Sequence, residues 1–250
     1  MSVRVKDVSH QFGRVRALQG VTADAAAGRI TAVLGPNAAG KSTLLRCVIG
    51  ALSPATGSVL IDGEPVHQLA TRQLAGRVAY VPQRPQVSAA FTVREVVELG
   101  RYALAASRRR VDEALGELDL DEIADRPFPA LSVGQQQRAT LARAVAQLAD
   151  DGHLVLDEPA SAMDLRHVRR STALLRRLAD RGATVLVAMH DLTLAVSLAD
   201  ECWLLEHGRL VAAGPTNEVI SVEQLREVFG VGFEWIERPD GGRVLLPESA

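Results

Sequence analysis

One stretch of the sequence decides the fold: Gly35-Pro36-Asn37-Ala38-Ala39-Gly40-Lys41-Ser42-Thr43. It fits the pattern G-x-x-x-x-G-K-[ST], which is typical of a loop that wraps phosphate groups. The apolar run 30–34 before it predicts a buried strand, and the run 44–52 after it predicts a helix. The motif is specific in this strand–loop–helix order, so a chance match is disfavoured and we predict a nucleotide-binding α/β core.

The residue types of this stretch explain its chemistry. Glycines let the backbone approach phosphate oxygens and adopt angles that a Cβ would forbid. The helix N-terminus then directs free N–H groups and a partial positive charge at the anion. We therefore expect Lys41 to reach the β- and γ-phosphates of a nucleotide, and the hydroxyl of Ser42 to ligate Mg²⁺.

Composition limits the classes of function. The chain has 250 residues, of which 47% are hydrophobic, enough for the core of one large domain. Its formal net charge is −2 and 4% of its residues are aromatic, which disfavours a nucleic-acid-binding surface. Cys47 and Cys202 are the only cysteines and lie in apolar surroundings, so we expect no disulfide and a reducing compartment.

The sequence carries no membrane segment. No uncharged apolar run reaches the roughly 18 residues that span a bilayer. Residues 1–6 lack the apolar centre of a signal peptide. We therefore expect a soluble, cytosolic chain.

Strands and helices are predicted to alternate. Apolar runs predict strands at 3–8, 18–23, 57–63, 78–81, 153–157 and 183–189. Helical spacing predicts helices at 92–121, from 135 onward and at 165–180, and Asp191 is placed to cap another. Runs 233–237 and 243–246 flank Pro239-Asp240-Gly241-Gly242 and predict a hairpin. Continuous apolar strands suit a sheet buried on both faces, so the fold class is α/β with a mainly parallel sheet.

Arginines cluster at 108–110 and along the predicted helix 165–180. The simplest interpretation is that both clusters are solvated helix faces. The alternative is a contact with a partner or with lipid head groups.

Two carboxylates, Asp157 and Glu158, stand at the end of the predicted strand 153–157. In parallel α/β sheets, ligands bind at the carboxyl ends of the strands. Asp157 is therefore placed to hold the Mg²⁺ shell, and Glu158 to orient and polarise a water that attacks the γ-phosphate. The alternative is a helix N-cap, which is disfavoured beside a phosphate loop.

Two further polar residues follow strands that we expect to end at the same edge. His190 is placed to hydrogen-bond the γ-phosphate and sense its presence. Gln83 is placed to contact Mg²⁺ or the attacking water. For each the alternative is an ordinary structural role, because a lone histidine or a loop glutamine carries no specific signal.

A second helix start lies at Leu131-Ser132-Val133-Gly134-Gln135-Gln136-Gln137-Arg138. Ser132 and Gly134 there form a second anion-binding terminus. One nucleotide needs only one such cradle, so the second indicates a site for the ATP of another molecule. The alternative is a serine-capped helix without a ligand.

The order of these elements resembles that of the ATP-binding-cassette (ABC) ATPases. The resemblance covers residues 3–214 and rests on the phosphate loop, Gln83, residues 131–135, Leu156-Asp157-Glu158-Pro159, Ser161-Ala162-Met163-Asp164 and His190. Within this family, segment 91–101 resembles the branch that imports iron chelates, haem and cobalamin. Residues 163–167 are most similar to the haem importers.

The resemblance implies a role for each matching residue. In cis, Phe12 stacks on adenine, and the phosphates are bound by Gly35, Pro36, Asn37, Ala38, Ala39, Gly40, Lys41, Ser42 and Thr43. In trans, the site is completed by Ser132, Gly134 and Gln135. The implied catalytic residues are Glu158 as base, His190 as switch, Gln83 and Lys41. The implied metal ligands are Ser42, Gln83 and Asp157, and Asp164 communicates between sites.

The resemblance also implies an architecture within one ABC ATPase domain. A P-loop NTPase core with a mainly parallel sheet spans about 1–84 and 150–214 and includes an N-terminal antiparallel β-subdomain. An inserted α-helical subdomain with residues 131–135 spans about 85–149. An accessory helix and hairpin form 215–250.

The implied function is that of an enzyme, the ATPase subunit of an importer for haem or another iron chelate, with ATP and Mg²⁺ as cofactors. Such subunits work as head-to-tail homodimers that bind two ATP molecules. They sit on the inner face of the cell membrane through integral permease subunits, which receive cargo from a substrate-binding protein, and they bind no nucleic acid. Segment 88–102 would then lie near the permease.

The chain departs from the family pattern at four positions. Val133 replaces the first of two glycines, and because a β-branched residue resists φ > 0 its backbone is expected to be ordinary. Ala38 replaces a common glycine at a position that the motif leaves free. Ala160 and Met163 stand where threonine or serine and leucine are usual, and both are expected to be tolerated.

Other functions remain as alternatives. One is the ATPase of another transport class, such as a cobalamin importer or an exporter. Another is a non-transport cassette that acts on ribosomes or DNA, against which the single cassette and the absence of heptads and of a basic stripe argue. A third is a non-hydrolysing cassette, against which the presence of Lys41, Asp157, Glu158 and His190 argues.

Overall fold

The computed structural model of the chain describes residues 2–85, 87, 90–149, 151–237 and 243–248. Its strands are β1 (Ser2–Phe12), β2 (Val15–Ala26), β3 (Ile30–Leu34), β4 (Thr56–Ile61), β5 (Glu64–Pro65), β6 (Val78–Val81), β7 (His153–Asp157), β8 (Thr184–Ala188), β9 (Glu201–Glu206), β10 (Arg209–Pro215), β11 (Phe233–Glu237) and β12 (Arg243–Pro247). Its α-helices are α1 (Lys41–Val48), α2 (Thr71–Arg77), α3 (Val93–Glu98), α4 (Arg108–Glu117), α5 (Val133–Gln147), α6 (Leu165–Asp180), α7 (Leu192–Leu198), α8 (Thr216–Val219) and α9 (Val222–Phe229). Short 3₁₀ helices lie at Val66–Gln68, Leu99–Arg101, Asp121–Ile123 and Phe128–Ala130.

The central sheet has the strand order β10-β9-β3-β8-β7-β6. The strands from β9 to β6 run parallel, and β10 pairs antiparallel with β9 at one edge. Every residue of β3, β7 and β8 is buried, as their continuous apolar sequences predict. The predicted α/β fold with a mainly parallel sheet is confirmed.

The N-terminal part forms an antiparallel sheet of order β2-β1-β4-β5, which confirms the predicted β-subdomain. Buried and exposed side chains alternate along the second half of β2, the pattern of a sheet with one solvated face. Its buried face, α1 and one face of the central sheet share an apolar core that includes Val5, Leu45 and Leu186. Helix α1, which follows the phosphate loop, is thereby held between two sheets.

The chain between β6 and β7 forms the helical part of the fold, with α3 and α4 packed against α5. The stretch predicted to be helical at 92–121 forms two α-helices, because α3 ends at Glu98 and α4 begins only after Ser107, its N-cap. Gly100 lies between them against α5, where a Cβ would meet the carbonyl oxygen of Arg143 at 2.2 Å. This close approach requires glycine, and glycine weakens a helix, which accounts for the interruption.

Two arginines of α6 bind neighbouring elements. Arg170 donates to the carbonyl oxygens of Gly116 and Glu117 at 2.8 and 2.7 Å, at the end of α4. Arg176 donates to both carboxylate oxygens of Asp200 at 3.0 Å. A solvated face is therefore the wrong interpretation at these two positions, because helix-end carbonyls and a carboxylate satisfy the guanidinium groups.

The C-terminal part packs on the central sheet through α8, α9 and a hairpin. Strands β11 and β12 pair antiparallel, which confirms the predicted pairing, while the predicted turn at 239–242 lies outside the described residues. The hairpin contacts α7, where the hydroxyl of Thr193 donates to the carbonyl oxygen of Leu245 at 2.9 Å. Within the described ranges, no helix combines the length and apolarity needed to cross a bilayer.

Candidate nucleotide-binding site

The phosphate loop joins the end of β3 to the start of α1, as predicted. Gly35 and Gly40 have φ of +142° and +104°, backbone that strongly favours glycine. A Cβ on Gly35 would stand 2.1 Å from the carbonyl oxygen of Leu205, and one on Gly40 would stand 2.5 Å from that of Ala17. Gly40 is the N-cap of α1 and offers no side-chain acceptor to its N–H groups. The helix therefore starts without a cap of its own.

Ala38 also has left-handed backbone, with φ of +62°. This conformation costs a residue that carries a Cβ about 1–2 kcal/mol. The position that the motif leaves free is thus one that favours glycine on conformational grounds, and the chain holds alanine there under strain.

The ammonium group of Lys41 folds back onto the loop. Its Nζ donates to the carbonyl oxygens of Gly35 and Pro36 at 2.7 and 3.0 Å, and the residue is 7% exposed. Burial lowers the pKa of Lys41, while the nearby carboxylates of Glu158 and Asp157 raise it. The cation is held at the loop by carbonyl oxygens that phosphate oxygens can replace.

Ser42 and Asp157 form the second contact of this site. The hydroxyl of Ser42 donates to Asp157 Oδ1 at 3.1 Å, and Asp157 is buried at the end of β7. Burial raises the pKa of the Asp157 carboxyl, the charge of Glu158 adds to the rise, and the hydrogen bond from Ser42 opposes it. Hydroxyl and carboxylate oxygens are ligands that Mg²⁺ accepts beside phosphate oxygens and water, so this pair fits the metal.

Glu158 connects the predicted polar residues of three strand ends. Its Oε2 accepts a hydrogen bond from Gln83 Nε2 at 2.8 Å and lies 3.7 Å from His190 Nδ1. The side chain of Glu158 is 15% exposed, whereas that of His190 is 62% exposed. The backbone of Glu158 has φ of +47°, which is strained for a residue other than glycine. The structure thus brings the residues after β6, β7 and β8 together at one sheet edge.

Phe12 ends β1 at some distance in sequence from the loop. Its side chain is half exposed, at 49%, and the ring of His10 packs against it with a centroid distance of 4.7 Å. A ring that is exposed on one side and supported on another can stack on a nucleobase.

The second helix start has its own cap. Ser132 Oγ accepts from the N–H of Gln135 at 3.3 Å, and Gln135 Oε1 accepts from the N–H of Ser132 at 3.0 Å, which forms a capping box. Val133 is the first residue of α5, is 60% exposed and has no positive φ, so the expected ordinary backbone is confirmed. A Cβ on Gly134 would stand 2.6 Å from the carbonyl oxygen of Ala162.

The two helix starts are not joined within the chain. Among the described residues, no hydrogen bond links Ser132, Gly134 or Gln135 to the phosphate loop. The start of α5 lies instead beside segment 158–163 of its own chain. Asp164, after this segment, caps α6 by accepting from the N–H of His167 at 2.9 Å.

Sequence reasoning missed one residue of this region, Gln137. It is 1% exposed, and its amide bonds the carbonyl oxygen of Glu158 and the N–H of Ala162 at 3.2 and 3.0 Å. The run of three glutamines, 135–137, indicates that an amide in α5 forms hydrogen bonds. Helical phase alone, however, does not say which amide meets a loop that is distant in sequence.

Comparisons with known proteins agree with this geometry. The sequence profile described as ABC transporter matches residues 18–161. The Hemin import ATP-binding protein HmuV of Bradyrhizobium diazoefficiens is 39% identical over 99% of this chain and 95% of its own length. A chain of a metal-chelate type ABC transporter, solved in an inward-facing conformation, is 26% identical with a TM-score of 0.81 over 99% of this chain and 98% of its own. A bacterial ABC transporter cassette solved as a dimer is 28% identical with a TM-score of 0.77 over 86% and 98%.

Proposed function

This chain belongs to the ABC transporter family and is an ATPase, and we propose that it drives the import of haem or another iron chelate through a membrane permease. One observation carries the enzymatic part of the proposal. The carboxylate of Glu158 is bonded to Gln83 and lies beside His190, at the sheet edge where Ser42 and Asp157 also meet. The similarity to a hemin import protein over nearly the whole chain supports the cargo class.

Nucleotide binding is assigned to the phosphate loop and Phe12. The uncapped start of α1 offers its N–H groups to the β- and γ-phosphates. Gly35 and Gly40 allow the loop backbone to pack against the carbonyl oxygens of Leu205 and Ala17, and Ala38 and Ala39 complete the loop. Lys41 exchanges its two carbonyl partners for phosphate oxygens. The remaining residues of the cradle are Pro36, Asn37, Ser42 and Thr43. The ring of Phe12 stacks on adenine.

Mg²⁺ fits beside this cradle. Its protein ligands would be Ser42, Asp157 and Gln83, whose Nε2 donates to Glu158. When bound, the ion would supply positive charge against the negative charge that develops on the transferred phosphoryl group. Because burial raises the pKa of Asp157, a cation also favours the ionised carboxylate that the site needs.

Hydrolysis is assigned to Glu158. A carboxylate that is largely buried and hydrogen-bonded has a fixed direction, so it can orient a water for attack on the γ-phosphate and accept its proton. Gln83 holds one carboxylate oxygen, and the exposed His190 is placed to bond the γ-phosphate. Lys41 stabilises the negative charge on the transferred group.

A second copy of the chain completes each site. At the start of α5, Ser132 is exposed and Gly134 and Gln135 are half-buried. Among the described residues, these three make no hydrogen bond to the phosphate loop of their own chain. In a head-to-tail homodimer this start closes on the nucleotide of the partner subunit, and Asp164 lies between the two sites. The dimeric cassette among the solved structures supports this arrangement. Because both starts grip the γ-phosphate, ATP holds the dimer closed and hydrolysis releases it.

The permease binds on the surface that includes segment 88–102. Phe91, Leu99 and Tyr102 expose 37%, 43% and 62% of their surface there, and large exposed apolar side chains mark contact surfaces. Residues 88 and 89, which the sequence also assigns to this surface, lie outside the described residues. The chain then works at the cytoplasmic side of the cell membrane, with a substrate-binding protein delivering cargo to the permease and no nucleic acid involved.

Each proposed role belongs to a separate range of the chain. Residues 1–84 and 150–214 act as the ATP-binding core with its β-subdomain. Residues 85–149 act as the helical subdomain that presents the second helix start, and 215–250 as an accessory segment.

Transport in vesicles tests the proposal. The chain is co-purified with its membrane partner and reconstituted, and ATP hydrolysis is measured with haem, cobalamin or neither. With ATP enclosed in the lumen, so that only complexes with lumen-facing ATPase subunits work, we expect haem added outside to stimulate hydrolysis and to accumulate in the lumen, and both effects to vanish with Glu158→Gln. Stimulation by cobalamin alone, or ATP-driven movement in the opposite direction, would assign the chain to another transport class.

A further inference from the structure

Gln137 joins helix α5 to the segment that carries Glu158. Its Nε2 donates to the carbonyl oxygen of Glu158 at 3.2 Å and to the hydroxyl of Ser161 at 3.1 Å. Its Oε1 accepts from the N–H of Ala162 at 3.0 Å. One buried side chain, 1% exposed, therefore binds three groups of the turn 158–162.

The turn depends on such support. Glu158 has left-handed backbone, and residues in such conformations persist when the surrounding structure over-determines them. Its N–H is held by the carbonyl oxygen of Ala188 at 3.0 Å, and its own carbonyl oxygen also accepts from the N–H of Ser161 at 3.4 Å. Gln137 is the contact that comes from outside the central sheet, so it sets the position of the turn relative to α5.

The same helix carries the cap that faces outward. Ser132 lies five residues before Gln137, on the first two turns of one continuous helix. At 1.5 Å per residue, these positions are about 8 Å apart along a rigid element. Gly134 lies between them and packs so closely on Ala162 that a Cβ would stand 2.6 Å from its carbonyl oxygen. A movement of the cap must therefore move the turn.

We infer that Gln137 is a positioning residue that transmits closure of the Ser132 cap on a partner's nucleotide to the Glu158 carboxylate of its own chain. The inference rests on the proposed dimer, since it is the partner that moves the cap. Through this contact, the nucleotide bound at one site changes the position of the catalytic carboxylate at the other site, which couples the two hydrolysis events. Gln137 touches no reacting atom in this scheme.

Two glutamines of α5 provide a matched test. Gln147 also donates through Nε2 to two carbonyl oxygens, those of Ala75 and Val78 at 2.7 and 2.9 Å, but far from Glu158 in the fold. Gln137→Met and Gln147→Met each remove one amide from the same helix and keep an unbranched side chain. Both are made in the full chain, alone and with Glu158→Gln.

Hydrolysis and dimerisation are then measured separately. We expect Gln137→Met to lower kcat about tenfold or more, since small displacements of a catalytic group have such effects, with the KM for Mg-ATP within about threefold and the Hill coefficient reduced to about one. Gln137→Met/Glu158→Gln should still form dimers with ATP by light scattering. Gln147→Met should keep kcat within about twofold.

Gln137→Glu is the second variant if the methionine variant does not fold. It keeps the oxygen that accepts from Ala162 and removes the amide donor, so kcat should again fall, and the melting temperature, which a buried carboxylate lowers, is measured beside it. A Gln137→Met enzyme with normal kcat and Hill coefficient overturns the inference, as does one that loses dimerisation and stability in the same proportion as activity. If Glu158→Gln alone never dimerises with ATP, the proposed dimer itself fails, and the inference with it.

Discussion

Helices α1 and α5 begin in opposite ways. Helix α1 follows a glycine in left-handed backbone and has no side-chain cap, whereas α5 follows a serine that forms a capping box with Gln135. The first residue of α1, Lys41, is 7% exposed, and the first residue of α5, Val133, is 60% exposed. One start is an enclosed cradle with unsatisfied donors, and the other is an open surface whose donors are already partly bonded.

In the head-to-tail dimer that we propose, this difference would let the two starts share one ligand. At the start of α1, the ammonium group of Lys41 and the Ser42–Asp157 pair lie beside the place for the phosphates, so this start can bind a nucleotide alone. The start of α5 has no such neighbours, but a serine hydroxyl can donate one hydrogen bond while it accepts another. It therefore suits a nucleotide that another chain already holds.

The largest effect is expected at the cradle. Glu158→Gln should lower the rate of phosphate release about 10²–10⁴-fold, because the amide cannot accept the proton of the attacking water. ATP should still bind, and ATP-bound dimers should accumulate. Glu206→Gln, at the end of β9 in the same sheet, is the matched control and should release phosphate at the wild-type rate. Full activity of Glu158→Gln would remove this residue from the mechanism.

Thiol reactivity measures the exposure of the α5 start directly. Burial raises the pKa of Cys47 in α1 and of Cys202 each to about 11, so at pH 8 both are almost entirely thiol and unreactive. The exposed thiol of Ser132→Cys should react with a disulfide reagent ~100-fold faster than either. In a Glu158→Gln background, ATP should protect it. Reaction that ATP does not slow would show that the α5 start stays open.

A side chain at Gly134 should separate binding from hydrolysis. In Gly134→Ala the added Cβ must displace the carbonyl of Ala162, which stands 2.6 Å away. We expect hydrolysis to fall about tenfold, with ATP affinity of the monomer unchanged. Gly116→Ala in α4 is the control, since its Cβ meets Asp121 at an ordinary 3.6 Å. Equal effects of the two variants would contradict the packing argument.

A smaller effect on the ATPase rate is expected at Val133, which precedes Gly134. Val133 is exposed and its backbone is ordinary, so Val133→Gly removes no required conformation. We expect the ATPase rate to change by less than about tenfold, or about 1.4 kcal/mol of barrier. A larger change in steady-state rate, in either direction, would show that the side chain at this position contributes to closure.

The smallest effect concerns strain in the cradle. Ala38→Gly removes the strain of a left-handed alanine but increases the conformational entropy of the unfolded chain. The free energy of unfolding should therefore rise by at most about 1 kcal/mol. Urea denaturation measures it, with Ala39→Gly, whose φ is not positive, as the control that should lose stability. A destabilised Ala38→Gly protein would mean that the strain is absent.

Features that depend on local sequence patterns could be predicted from the sequence. The phosphate loop, the buried strands and the polar residues at their carboxyl ends were predicted because continuous apolar runs dictate a parallel sheet, and a parallel sheet brings its strand ends together. The contact of Glu158 with Gln83 and His190 follows from that topology.

Long-range packing was not predictable in the same way. The break before Ser107 depends on the approach of Gly100 to α5, and Arg170 binds the end of a helix about fifty residues away in sequence. Gln137 was missed for the same reason. Only the fold shows that the turn after β7 lies against α5.

Mixing two inactive variants tests the shared-nucleotide account most directly. Lys41→Ala disables the cradle and Ser132→Arg disables the α5 start, so each homodimer should hydrolyse ATP at a small fraction of the wild-type rate. In a mixed dimer one site carries both changes and the other carries neither. We predict that mixing restores phosphate release well above the sum of the separate proteins. A mixture as inactive as its components, or a Ser132→Arg protein with wild-type activity, would contradict the account.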